Sequence, residues 1–382
     1  MSSVAVAYSA PSELRFRGRR LSGAGSGVCG VYFVRRPTTG RDARAVDYVF
    51  KPRIEEPSEP ISKDKLVAKK PSPVIRSIMA GERIGTASPI KNGVIVGDAV
   101  LKERAAYLVD HDQWAGVPRT EAVRVSIELD DTGAVVRDFG SLQAFVQHDS
   151  TSEDVGCALF DKNDVHRIGL LDARLFNLDR HEGNLLVHRR EDGRVRLVPI
   201  DHGYALPSWR DLSDASFCWQ TWKQASLPFS DEVMAYVADL CPKQDIVPLL
   251  NLGLKHECVV TYIICSSFVK KAVAAGLTLA DIGSILQRDM LSPDDPSEFE
   301  LIVRSAASAT DFFSFVFQSK SSWDDERVAD FLEAFGRLAD QLIDHRCEHR
   351  RQSMSTTCSA SCASDSGISS TVRHRSHVAS SS

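Results

Sequence analysis

The chain has 382 residues, a formal net charge of −5, 43% hydrophobic and 25% charged residues. That length allows one large two-lobed domain or two ordinary ones, and the composition is that of a globular protein. The negative charge offers no global basic field for nucleic acid, and no apolar run reaches the roughly 18 residues of a membrane span.

The first 22 residues are rich in Ser, Ala and Arg. That composition fits a disordered start, and equally an organellar transit peptide. A glycine-rich stretch, Gly23-Ala24-Gly25-Ser26-Gly27-Val28-Cys29-Gly30, leads into the apolar run Val31-Tyr32-Phe33-Val34. After a polar turn at Thr38-Thr39-Gly40 a second run, Asp47-Tyr48-Val49-Phe50, ends in Lys51-Pro52. Glycine-rich turn, strand, turn, strand and lysine is the order of a nucleotide-binding hairpin. Glycines let backbone N–H groups approach phosphate oxygens, and the lysine adds a point charge. Each piece alone is weak; the order makes the signal.

Residues 58–97 are rich in Pro, Ser and Lys without periodicity and read as an insertion or long loop. Asp98 is placed to cap a helix from Ala99 to Val109, closed by Gly116 and Pro118. Val117 to Leu129 reads as a strand with its turn at Asp130–Gly133. The polar residues 148–154 mark a hinge between two lobes.

The most informative stretch runs from Ile168 to Pro207. It contains Asn177-Leu178-Asp179-Arg180-His181-Glu182-Gly183-Asn184, the apolar Leu185-Leu186-Val187, a turn at Glu191-Asp192-Gly193, and Ile200-Asp201-His202-Gly203. A hairpin through that turn brings Asp179, Asn184 and Asp201 to one rim. Phosphoryl transfer needs such a set: a carboxylate near the attacking hydroxyl, and an Asn and an Asp to hold a divalent cation on the phosphates. From Asp231 onward the pattern is helical: 233–240, 257–275, 277–289, 297–317 and 324–345. After about His349 the chain is Ser/Thr-rich and reads as disordered. The nine cysteines form no Cys-x-x-Cys pair, which favours reduced thiols and a cytoplasmic, reducing compartment.

Phe50-Lys51-Pro52, Arg104-Ala105-Ala106-Tyr107-Leu108-Val109-Asp110, Ser141–Val146, Asn177–Asn184, Ile200–Tyr204 and Trp219-Gln220-Thr221-Trp222 occur in one order. With them the chain resembles the phosphatidylinositol 3-/4-kinase family, in particular its type II and plant-type gamma groups. Protein kinases carry His-Arg-Asp and Asp-Phe-Gly instead. The resemblance implies an α+β, two-lobed protein-kinase-like fold, with a small β-rich N-lobe at 23–147 and a helical C-lobe at 148–349. Segments 1–22 and 350–382 are then disordered.

It also implies ATP and Mg²⁺ or Mn²⁺ as cofactors and phosphatidylinositol in membranes as the substrate. The expected product is phosphatidylinositol 4-phosphate, made by a peripherally membrane-associated enzyme. Backbone groups of Gly27, Val28, Cys29, Gly30 and Val31 would cover the phosphates, and Lys51, oriented by Glu55 or Glu56, would contact them. Gln143, Ala144, Phe145 and Val146 would form the adenine hinge, with Val49 and Ile200 packing on the base. Asp179 would be the catalytic carboxylate, and Asn184 and Asp201 the metal ligands. His181 would stabilise charge or shuttle a proton, or serve structure alone. Residues 204–230 would read the lipid headgroup, with Trp219, Trp222 and Lys223 at the membrane or substrate; packing of the two indoles in the C-lobe core is the alternative. No ubiquitin-like domain is legible in the chain. A protein serine/threonine kinase on the same scaffold is the alternative, since the resemblance leaves the acceptor open.

Overall fold

The computed structural model describes residues 14–21, 30–37, 45–56, 84–189, 191 and 194–364, with side chains to residue 352. Most of the glycine-rich stretch, including Gly27, Val28 and Cys29, lies outside the described residues. So do most of the 58–97 insertion, the residues before Leu14 and those after Ser364.

Five strands close into a barrel in the order β1-β2-β3-β5-β4: β1 Leu14–Arg20, β2 Tyr32–Arg35, β3 Tyr48–Pro52, β4 Thr120–Leu129 and β5 Val135–Ala144. Alternate residues point inward. Phe16, Tyr32, Val34, Phe50, Val125, Ile127 and Leu142 fill the interior. Residues 14–20, expected within a disordered start, instead close the barrel: β1 runs antiparallel to β2 and parallel to β4. The charged sequence LRFRGRR hides this, since its inward face needs only Phe16 and Gly18. The strand expected from Val117 begins at Thr120 and turns at 130–134 as its Asp/Thr/Gly sequence implies.

Between the strands lies α1 (Ala99–Val109). Its Ala105, Ala106 and Val109 pack with Leu171 and Leu175 of α2 (Lys162–Leu175) and with Tyr262. This helix therefore joins the barrel to the helical part of the molecule. Three further strands form a separate sheet, β6 (Ser150–Thr151), β7 (Leu185–Arg189) and β8 (Val195–Pro199). The expected hairpin is present, with Leu185 opposite Pro199 and Arg189 opposite Val195. The polar residues 148–154 do more than connect: Ser150 and Thr151 pair with β7.

The remaining described helices are α3 (Asp231–Asp239), α4 (Ile246–Leu252), α5 (His256–Ala274), α6 (Leu279–Leu286), α7 (Glu298–Ala309) and α8 (Glu326–Ser364). Helix α5 is apolar nearly all round and lies in the middle of the core, which overrides the modest helix propensity of its Val, Ile and Thr residues. Thr278 and Ser297 cap α6 and α7 through reciprocal bonds with Asp281 and Glu300. The helix expected to reach Phe317 stops at Ala309, because Asp311 takes a left-handed φ of 50° and turns Phe312 and Phe315 into the core. Helix α8 runs to Ser364, fifteen residues past the expected 349 boundary, so the first part of the Ser-rich tail is helical. Cys258 and Cys265 are buried thiols.

Candidate active site

Strand β3 presents Phe50 to the barrel interior, so Val49 and Lys51 share the outer face. Val49 stands opposite Phe33 on one side and Gln143 on the other. The Phe33 ring meets Phe145 edge-to-face at 5.7 Å. Phe33, read in the sequence only as part of an apolar run, thus belongs to the same apolar patch as Val49 and Phe145. Gln143 is buried and donates to Thr120 Oγ1 at 2.9 Å, while the Ala144 and Phe145 N–H groups bond Arg119 and Asp47 carbonyls. The Val146 carbonyl accepts a hydrogen bond from His148 Nδ1 at 2.8 Å.

Lys51 Nζ lies 2.6 Å from Glu103 Oε1 and 3.0 Å from Asp201 Oδ1. Glu103 projects from α1, and this corrects the expectation that Glu55 or Glu56 would orient the lysine. Glu55 is taken by Arg20 and by the Tyr32 hydroxyl, the latter at 2.6 Å. It also packs on Gly30, where a Cβ would come within 2.0 Å of Glu55 Oε2, so a larger residue there would have to displace the Glu55 carboxylate. Glu56 is buried and accepts from the Ala99 N–H at the start of α1. The sequence offered two glutamates beside the lysine, whereas the partner comes from 52 residues away. A signal was available: Glu103 immediately precedes the Arg104–Asp110 stretch on the expected helix.

One lysine shared by two carboxylates gives each a different fate. Burial pushes Glu103 up, and Lys51 offsets that only partly. Burial pushes Asp201 up too, but the charge and hydrogen bond of Lys51 outweigh it and hold its carboxyl below the usual range. Its side chain is 45% exposed, so it faces the open side of the site. Asp201 has φ 57°, a left-handed conformation costing ~1–3 kcal/mol in a non-glycine residue and kept only where the surrounding contacts hold it.

Asp179 and Asn184 sit in the loop after α2. Arg180 is the loop's internal anchor, with no exposed side-chain surface. Its Nε donates to Asp172 at 2.9 Å, Nη1 to the carbonyls of Asn184 and Ile200, and Nη2 to His202 Nε2 at 3.0 Å. Burial, then the Arg180 charge, keep His202 well below its usual pKa and therefore neutral, which frees Nε2 to accept. Asp172 also accepts from Asn177 Nδ2 and from Trp219 Nε1. Asp172 and Arg180 escaped the sequence reading, although an Arg between Asp179 and His181 was in view. Asn177 Oδ1 accepts the Asp179 N–H, and Asn184 Nδ2 donates to the Asp179 carbonyl at 3.0 Å. That bond fixes the Asn184 amide and leaves its Oδ1 as the acceptor. The Ile200 N–H in turn bonds the Asn184 carbonyl, so one ladder brings Asn184 beside Ile200-Asp201. His181 is about half exposed and its Nδ1 accepts from the Gly183 N–H, which makes it the cap of a short turn.

Trp219 and Trp222, expected at a membrane surface, are buried. Trp219 stacks on Phe217 and is held by Asp172; Trp222 packs against Phe160. Their indole faces complete the core because α2, α6 and the 216–226 turns converge there. Trp222 also borders a cavity of about 360 Å³ lined by Ser152, Glu153 and Glu182. Lys223 remains exposed. No described helix is long and apolar enough to cross a membrane.

A family model described as phosphatidylinositol 3- and 4-kinase matches residues 53–282, which contain Glu103, Asp179, Asn184 and Asp201. This chain belongs to that family. It is 34% identical over 310 residues to phosphatidylinositol 4-kinase gamma 7 of Arabidopsis thaliana, covering 76% of this chain and 44% of that protein. Against phosphatidylinositol 4-kinase gamma 8 of the same plant the identity is 39% over 237 residues, 58% of this chain and 44% of the relative. Phosphatidylinositol 4-kinase gamma 4 of Oryza sativa subsp. japonica is 36% identical over 301 residues, 76% of this chain and 48% of that protein. The chain therefore spans about half the length of the relatives it matches.

Proposed function

We propose that this chain is a phosphatidylinositol 4-kinase, transferring the γ-phosphate of ATP to the 4-hydroxyl of phosphatidylinositol's inositol ring. The observation that carries the reading is Lys51 bound at once to Glu103 and Asp201, with the Asp179–Asn184 loop laced to Ile200-Asp201. The names of the gamma relatives support the lipid acceptor over a protein hydroxyl. In this reading the barrel with α1 is the N-lobe of a two-lobed kinase, beginning at Leu14, and the helical remainder is the C-lobe. Nucleotide lies between them.

Lys51, fixed by Glu103, contacts the α/β phosphates, and Phe33, Val49, Phe145 and Ile200 bound the adenine. Backbone at Gly30 and Val31, the described end of the glycine-rich stretch, covers the phosphates. Asp179 receives the acceptor hydroxyl's hydrogen bond and aligns it with the γ-phosphorus. Asn184 Oδ1 and the Asp201 carboxylate are hard oxygen donors of the kind Mg²⁺ takes, and these two residues would hold it. When bound, such an ion neutralises charge on the β- and γ-phosphates. A lipid acceptor requires peripheral contact with a membrane, here at the cytoplasmic face, where Lys223 is exposed beside the buried tryptophans.

The test is ATP-dependent phosphorylation of phosphatidylinositol in mixed micelles, with products resolved by ring position and Asp179→Ala as control. A 4-phosphate product that disappears in the variant is expected. Phosphate on the protein itself with none on lipid would refute the lipid assignment.

A further inference from the structure

The end of the 58–97 insertion is not a passive loop. Residues 84–97 form a narrow hairpin, with an Ala87–Ile95 bridge and bonds from Gly85 to Val96 and Ser88 to Val94. Val94 and Val96 are buried, and Val94 joins the same core as Leu178, Trp209 and Leu212. The strap is tied at both ends of the site. Arg53, just after β3, donates to the Gly97 carbonyl at 2.8 Å. At the tip, Asn92 bonds Ser213 and Asp214, and the Ser208 N–H bonds the Gly93 carbonyl at 2.7 Å. Gly93 has φ 68°, and a Cβ there would lie 2.6 Å from the Asp211 carbonyl, so this seat excludes larger residues.

The strap delivers Lys91 into the 177–184 loop. Its Nζ donates to the Leu178 carbonyl at 2.8 Å and lies 3.3 Å from Asp179 Oδ1. We propose that Lys91 is the positioning residue for Asp179, carried by the strap and set by its docking on residues 208–214. This rests on the phosphatidylinositol 4-kinase reading above and assigns a role within that same site. The ammonium occupies Oδ1, which leaves Oδ2 to accept the hydrogen bond of the inositol hydroxyl. The contact holds the Asp179 carboxylate in one orientation. Its work is then to orient the hydroxyl, which suits a loose transition state in which the phosphoryl group departs before the new bond is well formed. Because the strap touches both the end of β3 and the 208–214 segment, alignment of Asp179 depends on that segment being in place.

The experiment is steady-state kinetics on phosphatidylinositol micelles with Lys91→Met, Lys91→Arg, Asp179→Asn and the Lys91→Met/Asp179→Asn double variant. Loss of alignment predicts a fall in kcat on the order of 10- to 100-fold for Lys91→Met. The KM for ATP should stay within about twofold and the melting temperature should fall by no more than the loss of one partly buried hydrogen bond explains, since nucleotide does not rest on Lys91. Lys91→Arg should recover most of the rate, and Lys91→Met should change nothing further once Asp179 is Asn. If Lys91→Met does not fold, Lys91→Gln takes its place with the same criteria. Wild-type kcat in the Lys91 variant, or a loss carried by ATP KM or by melting temperature, overturns the proposal while an inactive Asp179→Asn keeps the kinase reading. Full activity in Asp179→Asn, or no lipid product from the wild type, overturns the kinase reading itself.

Discussion

At the scale of single residues, the site is held by buried charge. Arg180 and Asp172 have no solvent exposure and exchange bonds with Asn177, His202, Trp219 and two carbonyls, so all three guanidinium nitrogens and both carboxylate oxygens find partners. Such a network tolerates no half-removal. Trp219→Phe deletes one hydrogen bond to a charged acceptor while keeping an aromatic ring, and should cost about 1.5–3 kcal/mol in urea unfolding. Binding to phosphatidylinositol vesicles should be unchanged, because the indole lies inside the protein. A vesicle-binding defect with unaltered stability would restore Trp219 to a membrane surface. The same reasoning explains why Trp content misled at the level of sequence. An indole is amphipathic in a membrane interface and equally so in a core that offers its N–H a carboxylate.

At the scale of elements, α1 carries the most information, because its start and its middle serve different ends. Glu103 reaches Lys51, whereas the first turn is served by Glu56, a residue from outside the helix, and Asp98 makes no side-chain cap. Burial, aided by Asp98, raises Glu56 from 4.5 to about 7, against the Ala99 and Gly97 N–H groups and Lys102, which lower it. The folded protein thus binds this proton more tightly than the unfolded chain. The stability associated with it is full below pH 4.5 and is lost as pH rises to about 7. With ~1.4 kcal/mol per unit, the loss amounts to roughly 3 kcal/mol. Glu56→Gln should remove this decline between pH 4.5 and 7, measured by urea titrations across the range. An identical pH slope in the variant would show that Glu56 does not titrate there.

At the scale of the whole molecule, the barrel and the helical part meet through α1, the 84–97 strap and the pair Lys51–Asp201. Nucleotide binding in that gap should tighten all three. Saturating ATP analogue with Mg²⁺, at about a hundred times its Kd, stabilises by about 2.7 kcal/mol and should raise the melting temperature. EDTA should remove most of the increment. Asp201→Asn should lose the Mg²⁺-dependent part while keeping its own fold, and an unchanged shift in that variant would dismiss Asp201 as a metal ligand.

The local order of motifs was set by the sequence. Periodicity placed β2, β3, α1, the β7–β8 hairpin and most later helices, and Lys51, Asp179, Asn184 and Asp201 stand out because their spacing is local or bridges one hairpin. Pairings across long separations had no such trace. Glu103 meets Lys51 across 52 residues and Lys91 meets Leu178 across 87, and which of several nearby charges makes the contact depends on how α1 and the strap pack. Strand β1 was hidden for a related reason: a barrel closes by pairing its edges, and pairing requires backbone rather than apolar side chains. Composition fixed which residues resist water, but only the assembled core decided that Trp219, Trp222 and Arg180 belong inside it.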